Sequence, residues 1–301
     1  MSSISDYKHG LKLANCSYFY HFLAILPSLR SFIIAGHFPI AIRTITITIT
    51  TPIIGILIVS NHSTIFMFYR LATIDLDNMH TILIINPKGG CGKSTISTQL
   101  AGYYANWGLR VALADLDPQK SSLNWLRQRR PDTEKIIGIN AVKQQIEVPD
   151  KVDYLIIDTA AGYHNGDMKY LANRADNILI PVLPSAMDTH AAAHFIYQLL
   201  IKYRITFEDK NICIIANRVK IRSIVYRDLL AFLETLKLPL VSTLRESKYY
   251  LDCAANGLSI FDPNTADLSN LIADWQPITQ WLHEAEMKKK LKKRTEEIAY
   301  P

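Results

Sequence analysis

Ten consecutive residues combine glycine, lysine and hydroxyl side chains at a spacing that can hold a phosphate chain: Asn86-Pro87-Lys88-Gly89-Gly90-Cys91-Gly92-Lys93-Ser94-Thr95. They lie between a short apolar run, His80–Asn86, and a stretch of helical period, Ser94–Trp107, which is the strand-loop-helix setting a phosphate loop requires. Gly89, Gly90 and Gly92 let successive backbone N–H groups turn inward onto phosphate oxygens, and the helix start adds the positive end of its dipole. In that frame Lys93 reaches the β and γ phosphates, and the Ser94 hydroxyl ligates Mg²⁺ with Thr95 beside it. Cys91 fills the variable position of the loop as a small side chain, and alkylating it is expected to block the site. Pro87 stands where the general pattern GxxxxGK[ST] has its first glycine. Lys88 is a second lysine that turn geometry does not call for, placed to send a positive charge toward a nucleotide, its own or one across a dimer interface.

Three carboxylates end apolar runs. Asp115 and Asp117 close Arg110–Asp115 and its following turn, and Asp158 closes Tyr154–Asp158. Open α/β sheets bind ligands outside the C-terminal ends of their strands, so these positions face the same side as the glycine loop. Asn217-Arg218 follows another apolar run, Ile212–Ala216.

These residues need a framework. Runs of strand length at His80–Asn86, Arg110–Asp115, Tyr154–Asp158, Asn177–Val182, Asn211–Ala216 and Leu240–Thr243 alternate with helical stretches at Ser94–Trp107, Ser121–Arg129, Asp167–Arg174, Thr189–Tyr203, Ile224–Leu236, Tyr249–Ala255 and Asp267–Glu286. Continuous Ile, Leu and Val in the strands indicates burial on both faces. The alternation predicts an α/β fold: a mostly parallel sheet flanked by helices in three layers.

With 301 residues, 49% hydrophobic and 20% charged, the chain is not disordered, collagen-like or mucin-like. Its four cysteines are scattered and lack CxxC or a nearby His cluster, which excludes a disulfide scaffold or zinc site by pattern and fits a reducing cytosol. The net charge of +6 is uneven. Lys288–Arg294 (KKKLKKR) alone supplies six positive charges. Residues 31–69 carry only Arg43, and Thr and Ile alternate from Thr44 to Thr51, a strand period. Thr44–Ser60 is apolar but short and broken by Pro52 and Gly55, a poor membrane span and a poor signal peptide. The chain is accordingly divided into an apolar N-terminal extension at 1–78 outside the folded domain (upstream translation or a membrane segment), a nucleotide-binding domain at 79–286 and a basic charged tail at 287–301.

Lys88-Gly89-Gly90-Cys91-Gly92-Lys93-Ser94 resembles the deviant Walker A loop of the ParA/MinD family of P-loop ATPases, and the preceding Asn86-Pro87 looks like the short ParA-type plasmid partition ATPases. The resemblance continues through Asp115-Leu116-Asp117-Pro118-Gln119 with Ser122, Leu123 and Trp125, through Tyr154–Thr159 and Ile180–Ser185. It extends more weakly to Arg245-Glu246-Ser247 and Gly257–Asp262, and so covers about 79 to 262. Ala160-Ala161 replaces a Pro-Pro often found after the Asp-Thr pair. The resemblance implies ATP and Mg²⁺ as cofactors and hydrolysis of ATP to ADP and phosphate. It implies that Asp117 orients the attacking water, that Asp115 supports the Mg²⁺ shell or the switch, and that Asp158 holds Mg²⁺ through water. Asn217 and Arg218 then lie where the family contacts the base, and Lys88 acts across an ATP-dependent homodimer.

Such ATPases change what surface they bind with nucleotide state. A partition ATPase binds DNA without sequence preference and is released by a ParB-like partner protein. A MinD-like ATPase binds membrane through an amphipathic helix, and amidotransferase-type synthases of this fold activate a small acid. Met287–Arg294 has only Met287 and Leu291 as apolar residues, too few for a membrane-inserting face, whereas its lysines suit phosphate backbones. The reading is a cytoplasmic, nucleoid-associated ATPase that segregates plasmid, chromosome or cargo, with membrane contact only if residues 31–69 are expressed and inserted.

Overall fold

The computed structural model describes residues 43–47, 53–61, 64–72, 79–142, 145–162, 166–205, 210–235, 239–262 and 268–299. The chain divides after Ile74 into two units. In the first, the backbones of β1 (Arg43–Ile47), β2 (Ile53–Asn61) and β3 (Thr64–Ala72) form an antiparallel sheet, with Arg43 opposite Ile58 and Ile53 opposite Ala72. The alternating run thus enters β1, while its last four residues, Thr48–Thr51, and the rest of the extension from 1 to 42 lie outside the described residues.

The second unit holds the glycine loop and Asp115, Asp117 and Asp158. Its strands are β4 (His80–Ile84), β5 (Val111–Asp115), β6 (Ile136–Asn140), β7 (Tyr154–Asp158), β8 (Asn177–Val182), β9 (Asn211–Val219) and β10 (Leu240–Arg245). They form one sheet in the order β10-β9-β8-β4-β7-β5-β6, and every pairing is parallel. The helices are α1 (Lys93–Asn106), α2 (Ser121–Arg127), α3 (Gly166–Arg174), α4 (Ala186–Tyr197), α5 (Ile224–Thr235), α6 (Tyr249–Ala255) and α7 (Ser269–Ala299), with a π-helical turn, Gln198–Lys202, continuing α4. The expected α/β class and three-layer arrangement are present.

Side-chain alternation along the strands builds a core on each face of the sheet. Leu83, Ile157 and Ile180 pack with Met168 of α3, Phe195 of α4 and Leu229 of α5. Ile82, Ile156 and Leu113 pack with Leu100 of α1, Trp125 of α2 and Trp275 of α7 on the other face. β4, β5, β7 and β8 are buried at every residue, which is why their sequences are mostly apolar, with polar residues confined to their ends. β6 is different. It is an edge strand, half exposed, and its Gly138 sits where a Cβ would lie 2.9 Å from Leu126 Cδ1 and 3.0 Å from Leu123 Cδ2. That close approach of α2 explains a glycine in a strand, and the glycine explains why the sequence pattern did not show the strand.

α7 runs unbroken through the boundary drawn at residue 286 and continues to Ala299. Its Pro277 costs a helix hydrogen bond, offset by burial of Trp275, Ile278 and Leu282 against the sheet. Farther along, Glu286 Oε2 accepts a 2.5 Å bond from the Tyr154 hydroxyl, Lys290 pairs with Glu286 at 2.8 Å, and Lys289 reaches Asp176 at 2.7 Å. Tyr104 of α1 stacks on Tyr154 with centroids 3.8 Å apart. Burial would raise the Glu286 carboxyl, but Lys290 and Tyr154 bring it below its ordinary value; burial lowers His80 beside it. Among the described residues of Lys288–Arg294, Lys289 and Lys290 are engaged within the chain, and Lys289 and Glu286 hold α7 to the starts of strands whose far ends carry the candidate site.

Candidate functional site

The strand order reverses around β4 and β7, and there the C-terminal ends of β4, β7 and β5 stand side by side. Their register aligns Ile84 with Asp158 and Asp158 with Asp115. The chain leaves β4 into the glycine loop. Asn86 pins that loop: its buried Nδ2 donates to Pro181 O at 2.7 Å and its Oδ1 accepts from Lys88 N at 2.9 Å. Gly162 N donates to Pro87 O at 2.8 Å, tying the loop to the segment that follows Asp158. Sequence reasoning assigned Asn86 no role, although an Asn that can close a turn on the residue two places on is a recognisable signal.

Gly90 and Gly92 have φ of 76° and 95°, the left-handed region that favours glycine. Gly92 is also the N-cap of α1, and it supplies no side-chain cap. The first amides of α1 are thus left for an anion, in contrast to α4, whose N-cap Ser185 accepts a bond from Asp188 N. A Cβ on Gly92 would lie 2.1 Å from Asn217 Nδ2, so a larger residue would have to displace that amide at a φ that already favours glycine.

Lys93 is buried, and its Nζ turns back into the loop to donate to Lys88 O at 3.0 Å, with Cys91 Sγ at 3.9 Å. Burial pushes the Cys91 thiol up, against the opposing effect of Lys93. Lys88 is only half buried, and among the described residues its side chain makes no ion pair. The two lysines of the loop therefore differ in direction and commitment.

Asp158 is fully buried. Its Oδ2 accepts from Ser122 Oγ at 2.5 Å, and its Oδ1 has no partner. Burial pushes its pKa up to about 7; the Ser122 and Ser94 hydroxyls and Lys93 oppose this, and Asp115 adds to it. A buried carboxylate with one unfilled oxygen, beside the Ser94 hydroxyl and near a lysine, is a donor set suited to a hard divalent cation that also binds phosphate oxygens. Among the described residues no group of three or more His, Cys, Asp or Glu side chains could hold a metal, so such a cation would draw its remaining ligands from phosphate and water. Ser94 and Asp158 are the residues that would hold Mg²⁺.

Asp115 is equally buried, but both oxygens are engaged: Oδ1 accepts from Asp117 N at 2.9 Å and Oδ2 from Leu123 N at 3.1 Å. Burial raises its pKa, and these backbone bonds oppose the rise. In this arrangement Asp115 shapes the turn into α2. Asp117 is half buried and its Oδ1 accepts from Gln119 N at 2.9 Å. Asn217 comes to the loop, with Nδ2 donating to Cys91 O at 2.8 Å, and so braces it from behind. Arg218 turns away to an exposed pair with Glu246 at 3.2 Å. Of the two residues expected near a base, the structure brings only Asn217 to the site. Thr95 is half buried at the start of α1, where its carbonyl accepts from Thr98 Oγ1.

The Gly257–Asp262 motif lies behind α1 and α2 as a clasp. Arg129 forms a bidentate pair with Asp262, at 3.0 and 3.1 Å, and stacks over Trp125. Asp262 also accepts from Asn106 of α1 and from Ser259. Gly102 of α1 faces Ser259 so closely that a Cβ would lie 2.3 Å from its Oγ. The clasp fixes the helix that opens at the phosphate loop against the helix that follows Asp115 and Asp117.

Residues 82–260 match the CobQ/CobB/MinD/ParA nucleotide binding domain. The chain belongs to that family. It is 28% identical over 188 residues to the maintenance of carboxysome distribution protein A of Halothiobacillus neapolitanus, covering 60% of this chain and 86% of the relative. It is 28% identical over 120 residues to Protein ParA of Rhizobium radiobacter, covering 38% of this chain and 54% of that protein. Among solved structures, a plasmid partition protein of Borrelia burgdorferi B31 bound to AMPPNP superposes with a TM-score of 0.55 at 19% identity, over 70% of this chain and 100% of that one. The MinD cell division protein of Aquifex aeolicus gives 0.50 at 21% identity, over 65% and 94%. The family is that of ParA/MinD-type positioning ATPases, and the structural likenesses establish the fold.

Proposed function

We propose that this protein is a Mg²⁺-dependent ATPase of the ParA type that pairs with a second copy on binding ATP, binds DNA without sequence preference in that state, and segregates a plasmid, chromosome or other cargo with a ParB-like partner stimulating hydrolysis. One observation carries the nucleotide part of this reading: an uncapped helix start, the inward Lys93 and the half-filled buried Asp158 converge at the end of β4 and β7. Bound Mg²⁺ would draw negative charge off the phosphates, with Ser94 and Asp158 as its protein-side support. Lys93 then neutralises phosphate oxygens, Asp117 orients water, and Lys88 of the second copy completes the charge. The 1–78 extension is not part of this machinery.

The DNA part rests on relatives named for partition and on α7. With Lys289 and Lys290 engaged inside the chain, Lys288 and Lys292 remain solvent-facing on the helix. Among the described residues no helix is long and apolar enough to cross a membrane. The expected result is that the full chain with a non-hydrolysable ATP analogue co-sediments with duplex DNA at low salt and releases it steeply as salt rises. The Lys288→Ala/Lys292→Ala variant should lose most of that binding. Retention on anionic liposomes and not on DNA would replace this output with a MinD-like one. Stimulation of ADP release by a small carboxylic acid alone would point to a synthase.

A further inference from the structure

α2 begins without a capping side chain. Its N-cap, Lys120, has φ of 56° and makes no side-chain cap bond. The start of the helix is held instead by two carboxylates on adjacent strands in register, Asp115 and Asp158. Asp115 Oδ2 receives the backbone N–H of Leu123, and Asp158 Oδ2 receives the hydroxyl of Ser122. Both anions lie at the positive end of α2, where the helix dipole favours negative charge. Ser122 and Asp158 are each wholly buried, so water does not compete for the bond.

The bond has a directional consequence. A carboxylate has two oxygens, and Ser122 occupies one of them. The other, Oδ1, is left buried and without a hydrogen-bond partner, and the Ser94 hydroxyl lies close enough to Asp158 to oppose the rise in its pKa. We propose that Ser122 is a positioning residue that holds the Asp158 carboxylate with Oδ1 presented to the nucleotide-bound Mg²⁺, and so ties the placement of α2 to metal loading. This rests on the nucleotide reading above. It assigns a task to a residue that neither the loop motif nor the carboxylate motifs require. It also gives a route from the metal to the Asp115–Gln119 turn, because Ser122 and the residue after it are held by the two carboxylates that end β7 and β5.

The test is the Mg²⁺ dependence of nucleotide binding, read without turnover. A fluorescent non-hydrolysable ATP analogue is titrated against the full chain in EDTA and across a Mg²⁺ series. For Ser122→Ala the half-saturating Mg²⁺ concentration should rise about tenfold, the effect of losing one hydrogen bond to a charged group. Its affinity in EDTA should stay within about twofold of wild type, since phosphate contacts to the loop are untouched. Ser122→Thr keeps the hydroxyl and should restore the wild-type midpoint. If Ser122→Ala fails to fold, Ser122→Cys, a weaker donor of similar shape, should shift the midpoint in the same direction. An unchanged Mg²⁺ midpoint, or an equal loss with and without Mg²⁺, overturns the positioning role. A wild-type chain that binds no nucleotide in either condition overturns the functional reading, and this inference with it.

Discussion

Replacing Lys88 by alanine should lower ATP turnover by about three orders of magnitude while nucleotide affinity changes only a few-fold, the range a charge supplied in trans gives to phosphoryl transfer. Lys93 is buried and points into the phosphate cradle, so its removal should weaken binding itself. Lys88 has its backbone held by Asn86 and its side chain outside any ion pair among the described residues. On the proposed reading, a positive charge so placed acts on a neighbouring copy. Mixing separates cis from trans. Lys88→Ala keeps an intact pocket but offers no lysine, whereas Asp117→Ala offers the lysine but lacks the carboxylate proposed to orient water. Each alone should be slow, and the mixture should regain turnover. Full turnover by Lys88→Ala alone, or no regain on mixing, would remove the trans role.

Asp262→Ala should destabilise the second unit by about 3–5 kcal/mol, the cost of leaving a buried cation without its partner. The Arg129 and Asp262 side chains are 6% and 0% exposed, so solvent screening does not soften the loss. Against a typical total of about 5–15 kcal/mol, this is a large fraction. Urea denaturation should show it as a lower midpoint. The pH dependence gives an independent check. Burial alone would raise the Asp262 carboxyl, but the bonds from Arg129 and Ser259 outweigh it and leave its pKa below the ordinary 3.8. The unfolded chain therefore takes up the proton first as pH falls, so the contribution is present above 3.8 and is lost as pH drops through the folded-state value. The difference between wild type and Asp262→Ala should be constant near neutrality and shrink in acid. A variant as stable as wild type at pH 7 would show that the clasp contributes only orientation.

The glycine loop and its supporting strands were legible because their requirements are local. Lys93 must follow Gly92 at a helix start, and β7 and β8 are short, largely apolar runs read from the sequence with the ends the structure shows. α4 starts at Ala186, before the Thr189 that periodicity suggests, because Ser185 and Asp188 form a cap that apolar spacing does not register. α7 continues past Glu286 because Lys290 pairs with Glu286 one turn back along the helix and Lys289 finds Asp176, the second a tertiary pairing that a charge run alone does not reveal. β6 was hidden by its exposure and by Gly138. At the site, spacing placed Asp115, Asp158 and Asn217 near the ligand end of the sheet, but not their partners. Asp115 is engaged by Asp117 and Leu123, and Asn217 finds the carbonyl of Cys91, 126 positions earlier. Ser122 was visible only as part of a resemblance; its bond to Asp158 depends on two elements meeting in space.

The most direct measurement is equilibrium binding of a non-hydrolysable ATP analogue to the full chain, with and without Mg²⁺, beside the Lys93→Ala variant. Saturable binding that tightens with Mg²⁺ is expected. Lys93→Ala should weaken it by about ten- to a hundredfold, the loss of a charge-assisted contact in a buried site. A wild-type chain with no saturable binding, or a Lys93→Ala chain that binds as tightly as wild type, would contradict a phosphate grip at the end of β4.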